Sequence, residues 1–313
     1  MRNVLVTGGA GFIGSHLCDA LINKGKRVIC VDNLVRGRLK NIEHLSNNDQ
    51  FIFIEADAGN KAQMLKVMRD YNIQYVYHLA ANSDIQASAI DPQVEFDFTM
   101  KTTWSLLSAM SESGVKKIFF ASTSAVYGQK GGESLSEDAI LRPISYYGSA
   151  KMASEAYIYA FAHMNDMDAL IFRFPNVIGS RLTHGVIYDF INKLKNDPSK
   201  LDVLGNGTQS KPYMHVSDLI TCIMLLSERT KGVEIYNIGV NTESNVRKIA
   251  EIVCDEMGLI GIPVYYGEEN IGWKGDVPHF KYSLDKIHSV GWSPMLSSDE
   301  AVIQTVREVL GKI

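Results

Sequence analysis

The feature that most constrains the fold is an alternation of short apolar runs and amphipathic segments along the first half of the chain. The apolar runs are typical of strands and are Val4–Thr7, Val28–Val31, Phe51–Ile54, Tyr75–Leu79, Lys117–Ser122 and Ala169–Phe174. The segments between them have helical spacing and are Ser15–Lys24, Asn60–Tyr71, Val94–Ser113 and Ser149–Asn165. Because such alternation builds parallel sheets covered on both faces, the sequence predicts an α/β fold with a doubly wound parallel sheet.

After Phe174 the strand–helix rhythm gives way to segments rich in turn residues. The elements expected in this part are a helix starting near Val216, a strand in "EIYNIG", and helices near Val246–Met257 and Asp299–Leu310. We therefore predict two domains, 1–174 and 175–313. The second is a smaller α/β domain, and some of its segments return to the first.

The overall charge excludes some classes of partner. Of the 313 residues, 46% are hydrophobic and 21% are charged, and the net charge is −4 with no long basic run. We therefore expect neither a nucleic acid nor an anionic membrane as partner. The start of the chain does not fit a secretory signal, and no apolar stretch is long enough to span a bilayer.

The cysteines and histidines show no pattern typical of disulfides or metals. Cys18, Cys30, Cys222 and Cys254 lie far apart, so we expect reduced, buried thiols and a cytoplasmic location. The eight histidines include no pair at metal-ligand spacing, so we predict no metal site. His78 is interpreted as a hydrogen-bonded core residue.

A glycine-rich stretch, "VLVTGGAGFIGSHL", follows the first predicted strand. Gly9, Gly11 and Gly14 have GxGxxG spacing between that strand and a helix. Such a loop turns tightly and brings backbone N–H groups, with the positive end of the helix, onto a pyrophosphate. The context on both sides predicts a Rossmann-type dinucleotide-binding domain.

Asp32 ends the second predicted strand, in "VICVDN". A carboxylate there accepts hydrogen bonds from an adenosine ribose and repels a 2′-phosphate, which favours NAD over NADP. Arg36 and Arg38 are nearby cations that would weaken this preference if they faced the ribose. We interpret them as solvated.

A tyrosine and a lysine lie four residues apart in "SYYGSAK". Tyr147 and Lys151 therefore share one face of a helix. A free tyrosine has a pKa near ~10, and a nearby ammonium group is expected to lower this value. The pattern is common by itself, but after a dinucleotide-binding domain it predicts a tyrosine base.

Several motifs in one order identify a family resemblance. "TGGAGFIG", Asp32, "HLAA", "STSAVYG" and Tyr147-x-x-x-Lys151 resemble the extended short-chain dehydrogenase/reductases. Within them the chain is similar to the nucleotide-sugar 4-epimerases of the UDP-glucose (UDP-galactose) 4-epimerase group. The resemblance continues through "RFPNVIGSR", "LGNGTQSKPYMHVSDL", "YNIG", "GDVP" and "GWSP", so that it covers nearly the whole chain.

The resemblance implies NAD as cofactor and a nucleotide sugar as substrate, with the second domain binding the substrate. The cofactor-binding positions it implies are Gly8, Gly11, Phe12, Ile13, Gly14, Asp32, Asn33, Asp57, Ala58, Leu79, Ala80, Ala81, Thr99, Tyr147, Lys151 and Phe174. Thr99 departs from the family pattern, because many relatives carry Asn there.

The resemblance also implies the reaction and its residues. Thr123, Tyr147 and Lys151 are the implied catalytic residues, with Thr123 on the sugar O4 and Tyr147 taking its proton during oxidation at C4. The substrate-binding positions implied are Ser83, Thr123, Ser124, Tyr147, Asn176, Val186, Val203, Lys211 and Lys274. Lys211 stands where many relatives have Arg, and Trp273 stands at the Arg position before "GDV".

Three functions stay open on the sequence. Ser124 and Ala125 occupy the positions where the family's 4,6-dehydratases carry an acidic pair, and neither can protonate a leaving hydroxyl. We therefore expect a UDP-hexose 4-epimerase, with a 4,6-dehydratase or related lyase as the alternative. A non-catalytic NAD-binding regulator is the third reading. The resemblance also implies a homodimer with a four-helix interface, formed by the helices near 94–113 and 149–165.

Overall fold

The structure is a computed structural model that describes residues 2–129, 134–229, 231–269 and 281–313. Its strands are β1 (Asn3–Thr7), β2 (Arg27–Asp32), β3 (Phe51–Glu55), β4 (Tyr75–His78), β5 (Lys117–Thr123), β6 (Ser134–Leu135), β7 (Asp168–Phe174), β8 (Asn176–Ile178), β9 (Leu201–Val203), β10 (Ser210–Lys211), β11 (Tyr213–His215), β12 (Val233–Asn237), β13 (Ser244–Asn245), β14 (Val264–Tyr266) and β15 (Lys281–Tyr282). Its helices are α1 (Phe12–Asn23), α2 (Lys61–Asp70), α3 (Ile85–Ile90), α4 (Gln93–Glu95), α5 (Lys101–Ser113), α6 (Tyr146–Asn165), α7 (Val186–Asn196), α8 (Val216–Ser227), α9 (Val246–Glu256), α10 (Asp285–Ser289) and α11 (Ser298–Val309).

The chain divides into two compact units, and neither is continuous in sequence. The first contains Met1–Gly128, Ala139–Arg173 and Cys222–Tyr236. The second contains Gln129–Asp138, Phe174–Thr221 and Asn237–Ile313. The helix α8 therefore begins in the second unit and ends in the first.

The first unit is built on a seven-stranded sheet with the order β12-β7-β5-β4-β1-β2-β3. All six strands predicted in the first half belong to it, and the strand predicted in "EIYNIG" is β12. The pairs that join β3, β2, β1, β4 and β5 are parallel. The predicted doubly wound parallel sheet is confirmed.

The strand order reverses at β1, which has β2 on one side and β4 on the other. Thr7 at the end of β1 is in register with Val31 and with His78. In open α/β sheets, ligands bind beyond the carboxyl ends of the strands at such a reversal. The topology therefore places the loops after β1, β2 and β4 at the expected cofactor site.

One predicted helix is divided into three parts. The segment 94–113 forms α4, a π-helical turn at Phe96–Met100, and α5. The wider turn is accompanied by a hydrogen bond from the Thr102 hydroxyl to the carbonyl of Asp97, five residues earlier. Two polar side chains at this turn, Glu95 and Thr99, are buried together.

The second unit has small sheets around its own core. β8 pairs with β11 and β9 with β14, both parallel, while β10 and β13 are antiparallel. Side chains from α7, α9 and α11 pack into one apolar cluster with these strands. Of the helices that the structure describes, none has the length and apolar character needed to cross a membrane.

Candidate active site

The glycine loop after β1 is shaped by close approaches that only glycine allows. Gly8 has a φ of +71°, and a Cβ there would lie 2.7 Å from the backbone nitrogen of Ala80. A Cβ on Gly14 would lie 2.1 Å from the Gly8 carbonyl oxygen. The helix α1 begins directly after Gly11, with no side chain capping its first N–H groups. These donors and the helix dipole fit a pyrophosphate, so the loop is suited to a dinucleotide.

Asp32 lies at the end of β2 and is oriented by the loop backbone. Its carboxylate accepts hydrogen bonds from the N–H of Ala10 at 3.0 Å and of Leu34 at 2.9 Å. Burial raises the pKa of this carboxyl, while the two backbone donors lower it. A Cβ on Gly37 would lie 2.5 Å from the carboxylate, so that glycine leaves one approach to Asp32 uncovered.

Arg36, one of the two cations near Asp32, is engaged elsewhere. Its guanidinium forms an ion pair with Asp84 at 3.0 Å. Both side chains are partly exposed, so the pair is screened by solvent and contributes little to stability. It does direct Arg36 to Asp84 in the loop after β4 rather than to Asp32.

The other predicted cofactor positions of the first unit occupy loop and strand ends of the sheet. Leu79 and Ala80 lie so close to Gly8 that a Cβ on this glycine would collide with their backbone atoms. Asp57 is exposed and accepts a hydrogen bond from the N–H of Gly59, whereas Thr99 is fully buried with its hydroxyl bonded to protein groups. The exposed or half-buried positions are Phe12, Ile13, Asn33 and Ala81, and Ala58 is buried. Their cofactor contacts stay predictions.

The structure brings the three predicted catalytic residues together. Thr123 ends β5, its hydroxyl accepts a hydrogen bond from the N–H of Ala125 at 3.2 Å, and it is hydrogen-bonded to the Tyr147 side chain. Tyr147 lies in the first turn of α6, which Ser145 caps by accepting from the N–H of Gly148. The end of β5 and the start of α6 therefore hold a hydroxyl and a phenol in contact.

Lys151 lies one turn further along α6 and is almost fully buried. Its ammonium donates to the carbonyl of Ala121 at 2.7 Å and lies 4.8 Å from the Phe120 ring centroid. The distance from Nζ to the Tyr147 ring centroid is 6.0 Å. The backbone of β5 thus holds the lysine, whose charge lies on the same face of α6 as the Tyr147 phenol.

The pKa values of the pair differ from the sequence-based expectation. Burial and the charge of Glu95 raise the pKa of Tyr147 to about 12, although the Thr123 hydrogen bond lowers it. The prediction that Lys151 lowers the pKa of the tyrosine in the free protein is wrong. The ammonium donates to the Ala121 carbonyl, and burial together with the Glu95 charge raises the tyrosine pKa instead. Burial also lowers the pKa of Lys151 to about 8, while Glu95 and Glu155 raise it.

A buried ion pair between Arg173 and Glu155 contacts β5. Arg173 donates to both carboxylate oxygens of Glu155, with the shortest contact at 2.6 Å, and to the Tyr127 hydroxyl at 3.0 Å. The Ser122 hydroxyl donates to the same carboxylate. Ser122 is therefore structural, and of the three adjacent hydroxyls at residues 122–124 Thr123 is the one bonded to Tyr147.

Two polar residues near Tyr147 and Lys151 were not identified as site residues from the sequence. Glu95 is 2% exposed, and its carboxylate accepts from Asn82 Nδ2 and from the Thr99 hydroxyl, each at 2.8 Å. Asn82 also donates to the carbonyl of Asp84 and so fixes the loop that carries Ser83. The available signal was the i,i+4 spacing of Glu95 and Thr99, but it identifies a buried pair only when the π-helical turn is known.

His78 is the core histidine that the sequence predicted. It is fully buried, and its ring nitrogens contact the hydroxyls of Thr7 at 2.8 Å and of Thr103 at 3.0 Å. Thr103 donates its own proton to the Thr99 carbonyl, so it accepts from His78 Nε2, and Nδ1 accepts from Thr7. This network fixes a neutral tautomer, and burial lowers the pKa of His78 to about 3.

The predicted substrate contacts of the second unit surround its core. Asn176 is exposed at the start of β8, while Val186 begins α7 and packs on the apolar cluster that contains Val203. Lys211 belongs to β10 and is half-buried. Phe174, a predicted cofactor contact, also belongs to this unit. Lys274 and Trp273 lie outside the described residues.

The parallel sheet, the glycine loop and the oriented aspartate define a dinucleotide-binding protein. The model of the NAD-dependent epimerase/dehydratase family matches residues 4–239. The chain belongs to this family of enzymes, its cofactor is NAD, and the resemblance predicted from the sequence is confirmed.

Known relatives include both epimerases and dehydratases. The chain is 30% identical to the UDP-glucose 4-epimerase of Thermotoga maritima, solved with UDP-glucose, with a TM-score of 0.88 and 98% of each chain covered. It is 29% identical to the NAD complex of the Thermus thermophilus UDP-glucose 4-epimerase, with a TM-score of 0.88 and 100% of each chain covered. It is also 29% identical to the dTDP-D-glucose 4,6-dehydratase of Mus musculus, over 97% of this chain and 88% of that protein.

The buried His78 predicts a pH dependence of stability. The unfolded chain binds a proton at this histidine below pH 6.5, whereas the folded protein does so only near pH 3. Its contribution is present above the unfolded pKa and is lost as the pH falls from 6.5 toward 3, by about 1 kcal/mol per pH unit. Urea unfolding of the wild type and of His78→Gln between pH 7 and pH 4 is the measurement, and the variant should lose less stability on acidification. His44→Gln changes an exposed histidine and is the control, which should lose as much stability on acidification as the wild type. Equal losses in the wild type and in His78→Gln would contradict the assignment.

Proposed function

We propose that the protein is a nucleotide-sugar 4-epimerase, an isomerase that acts on a UDP-hexose through a transient 4-keto sugar. The observation that carries the proposal is the hydrogen-bonded pair of Thr123 and Tyr147, with the Lys151 ammonium one helical turn away. Such a group moves a proton to and from a sugar hydroxyl and supplies no further acid.

In this proposal the first unit holds NAD and the reacting end of the sugar. The glycine loop and the start of α1 bind the pyrophosphate, Asp32 binds the adenosine ribose, and Lys151 binds the nicotinamide ribose. When bound, NAD would supply the acceptor of hydride from C4, the donor that returns it, and a positive charge. Every proton transfer then falls to side chains of this chain.

Thr123 and Tyr147 handle the proton of the sugar O4. Thr123 binds O4, and Tyr147 accepts the proton as the C4–H bond breaks, which leaves a ketone at C4. The sugar would then present its other face, and Tyr147 would give the proton back to O4 as C4 is reduced again. The product is an isomer of the substrate, so no water or external reductant is consumed.

Substrate contacts are proposed in each unit. Asn176, Val186, Val203 and Lys211 are the proposed contacts in the second unit. Ser83 and Ser124 are the proposed contacts in the first unit. Binding energy from the nucleotide keeps the ketone on the enzyme while the sugar ring turns. Lysine neutralises phosphate without the bidentate geometry of arginine, so Lys211 is a point-charge contact.

The arrangement favours an epimerase over a dehydratase. Loss of water across C5–C6 needs an acid and a base beside the sugar, and Ser124 and Ala125 provide neither. Glu95 and Glu155, the buried carboxylates whose charges act on Lys151, are both engaged. Asn82 and Thr99 donate to Glu95, and Arg173 and Ser122 donate to Glu155.

We also propose a homodimer that pairs α5 and α6 with the same helices of a second copy. Apolar side chains on these helices are exposed, namely Trp104 (47%), Tyr157 (40%), Tyr159 (60%) and Met164 (78%). Exposed aromatic side chains on one pair of packed helices are typical of protein interfaces. A cytoplasmic location is proposed as well, because all four cysteines are buried thiols.

A product assay tests the proposed reaction. The purified protein is incubated with NAD and, separately, UDP-glucose, UDP-N-acetylglucosamine and UDP-glucuronate, with no reductant added. We expect a product of unchanged mass whose configuration at C4 is inverted, as measured by mass spectrometry and NMR. A product lighter by one water would show a lyase, and NAD binding without turnover of any sugar would favour a regulator.

The catalytic assignment predicts the effect of removing one hydroxyl. Tyr147→Phe should lower kcat by about 10² to 10⁴-fold, the usual range for a general acid–base group, and leave the affinity for NAD unchanged. Tyr146→Phe removes the same group from the neighbouring residue, which is 53% exposed, and should leave kcat unchanged. Steady-state kinetics and calorimetric titration with NAD measure both. Equal activity of the two variants would remove Tyr147 from the mechanism.

A further inference from the structure

Glu95 is a buried carboxylate with only neutral hydrogen-bond partners in contact. Asn82 holds one carboxylate oxygen and Thr99 holds the other. Among the described residues no cation lies within salt-bridge distance of it. Glu155, the other carboxylate near Lys151, is in direct contact with Arg173 at 2.6 Å. A guanidinium in direct contact therefore offsets the charge of Glu155, whereas only neutral groups contact Glu95.

A buried charge that lacks a contacting partner is costly unless another charge offsets it across a short low-dielectric path. The π-helical turn and α4, which carry Thr99 and Glu95, pack against α6, which carries Tyr147 and Lys151. Lys151 is itself buried, and its hydrogen bond goes to a neutral carbonyl. Within the part of the chain that the structure describes, the ammonium and the Glu95 carboxylate are thus the two charges of this region that lack a charged contact.

We propose that Glu95 is a positioning residue for the reaction: its fixed carboxylate keeps Lys151 charged and keeps Tyr147 protonated until substrate and cofactor are bound. The role rests on the proposed function, because it concerns the same tyrosine and lysine. Asn82 and Thr99 hold the carboxylate in place, so its field acts from one fixed point and requires no movement during turnover.

The sign of the effect follows from the charges. The carboxylate raises the pKa of Lys151, which burial alone would lower further, and it raises the pKa of Tyr147. Removing the charge should let the lysine lose its proton at a lower pH. Glu155 on α6, which Arg173 contacts, and His78 on β4 also interact electrostatically with Lys151. Asp97 in the π-helical turn and Lys101 on α5 form an ion pair with each other.

Direct titration of the lysine tests this role without relying on turnover. Protein labelled with ¹³C at lysine Cε is titrated by NMR, and the Lys151 signal is assigned by its loss in Lys151→Arg. We expect a midpoint near pH 8 in the wild type, consistent with its pKa of about 8. In Glu95→Gln, which keeps the shape and loses the charge, we expect a midpoint lower by about one pH unit.

Matched variants separate a charge effect from a packing effect. Asp97→Asn removes a half-exposed carboxylate two residues away and should leave the Lys151 midpoint unchanged. Glu95→Asp keeps the charge at a greater distance and should lower the midpoint less than Glu95→Gln, so it serves if the latter does not fold. A wild-type midpoint in the folded Glu95 variants would overturn the proposal.

The pH profile of turnover is the second readout. The alkaline limb of kcat/KM should move to lower pH in Glu95→Gln, in parallel with the lysine midpoint. A uniform loss of activity with no movement of that limb would indicate a structural role and overturn the proposal. If the wild type turns over no nucleotide sugar, the proposed function fails, while the lysine titration still decides the role of Glu95.

Discussion

Burying an ammonium group next to a phenol is the constraint around which the polar groups of the first unit are arranged. Lys151 is 3% exposed, and water does not offset its charge. The Ala121 carbonyl, the Phe120 ring and the charges of Glu95 and Glu155 take the place of water. Ala121 and Phe120 belong to β5, Glu95 ends α4, and Glu155 lies on α6 itself. The buried lysine therefore links α6 to β5 and to α4.

The parallel sheet explains why the glycine loop and the proposed proton-transfer group occur in one unit. The strands β1, β4 and β5 are neighbours with the same direction, so their carboxyl ends lie at one edge. The glycine loop follows β1, the loop that carries Ser83 follows β4, and Thr123 ends β5. Beneath them, hydrogen bonds run from Thr7 through His78 and Thr103 to Thr99. This series of hydrogen bonds pairs buried polar groups that the strand ends would otherwise leave without partners.

The fold was predictable because its determinants are local. Strand residues such as Val4–Thr7 are buried on both faces and therefore form continuous apolar runs. Gly8 and Gly14 stand where any Cβ would collide, and Tyr147 and Lys151 are joined by helical spacing. These features are properties of short segments, and the sequence displays them directly.

The remaining features depend on contacts that short segments do not encode. The π-helical turn at Phe96–Met100 buries Glu95 and Thr99, yet the amphipathic pattern of 94–113 is that of one continuous helix. The high pKa of Tyr147 results from burial and from Glu95, which lies far from it in sequence. Membership of 222–236 in the first unit follows from β12 joining the seven-stranded sheet, which is a long-range pairing.

The central claim is that oxidation at C4 is followed by return of the same hydrogen to C4. UDP-glucose carrying deuterium at C4 tests it most directly, with the position of the label in the product read by NMR. An epimerase with only Thr123, Tyr147 and Lys151 as proton-handling groups returns the deuterium to C4 with inverted configuration. Deuterium found at C6, in a product that has lost water, would contradict the account.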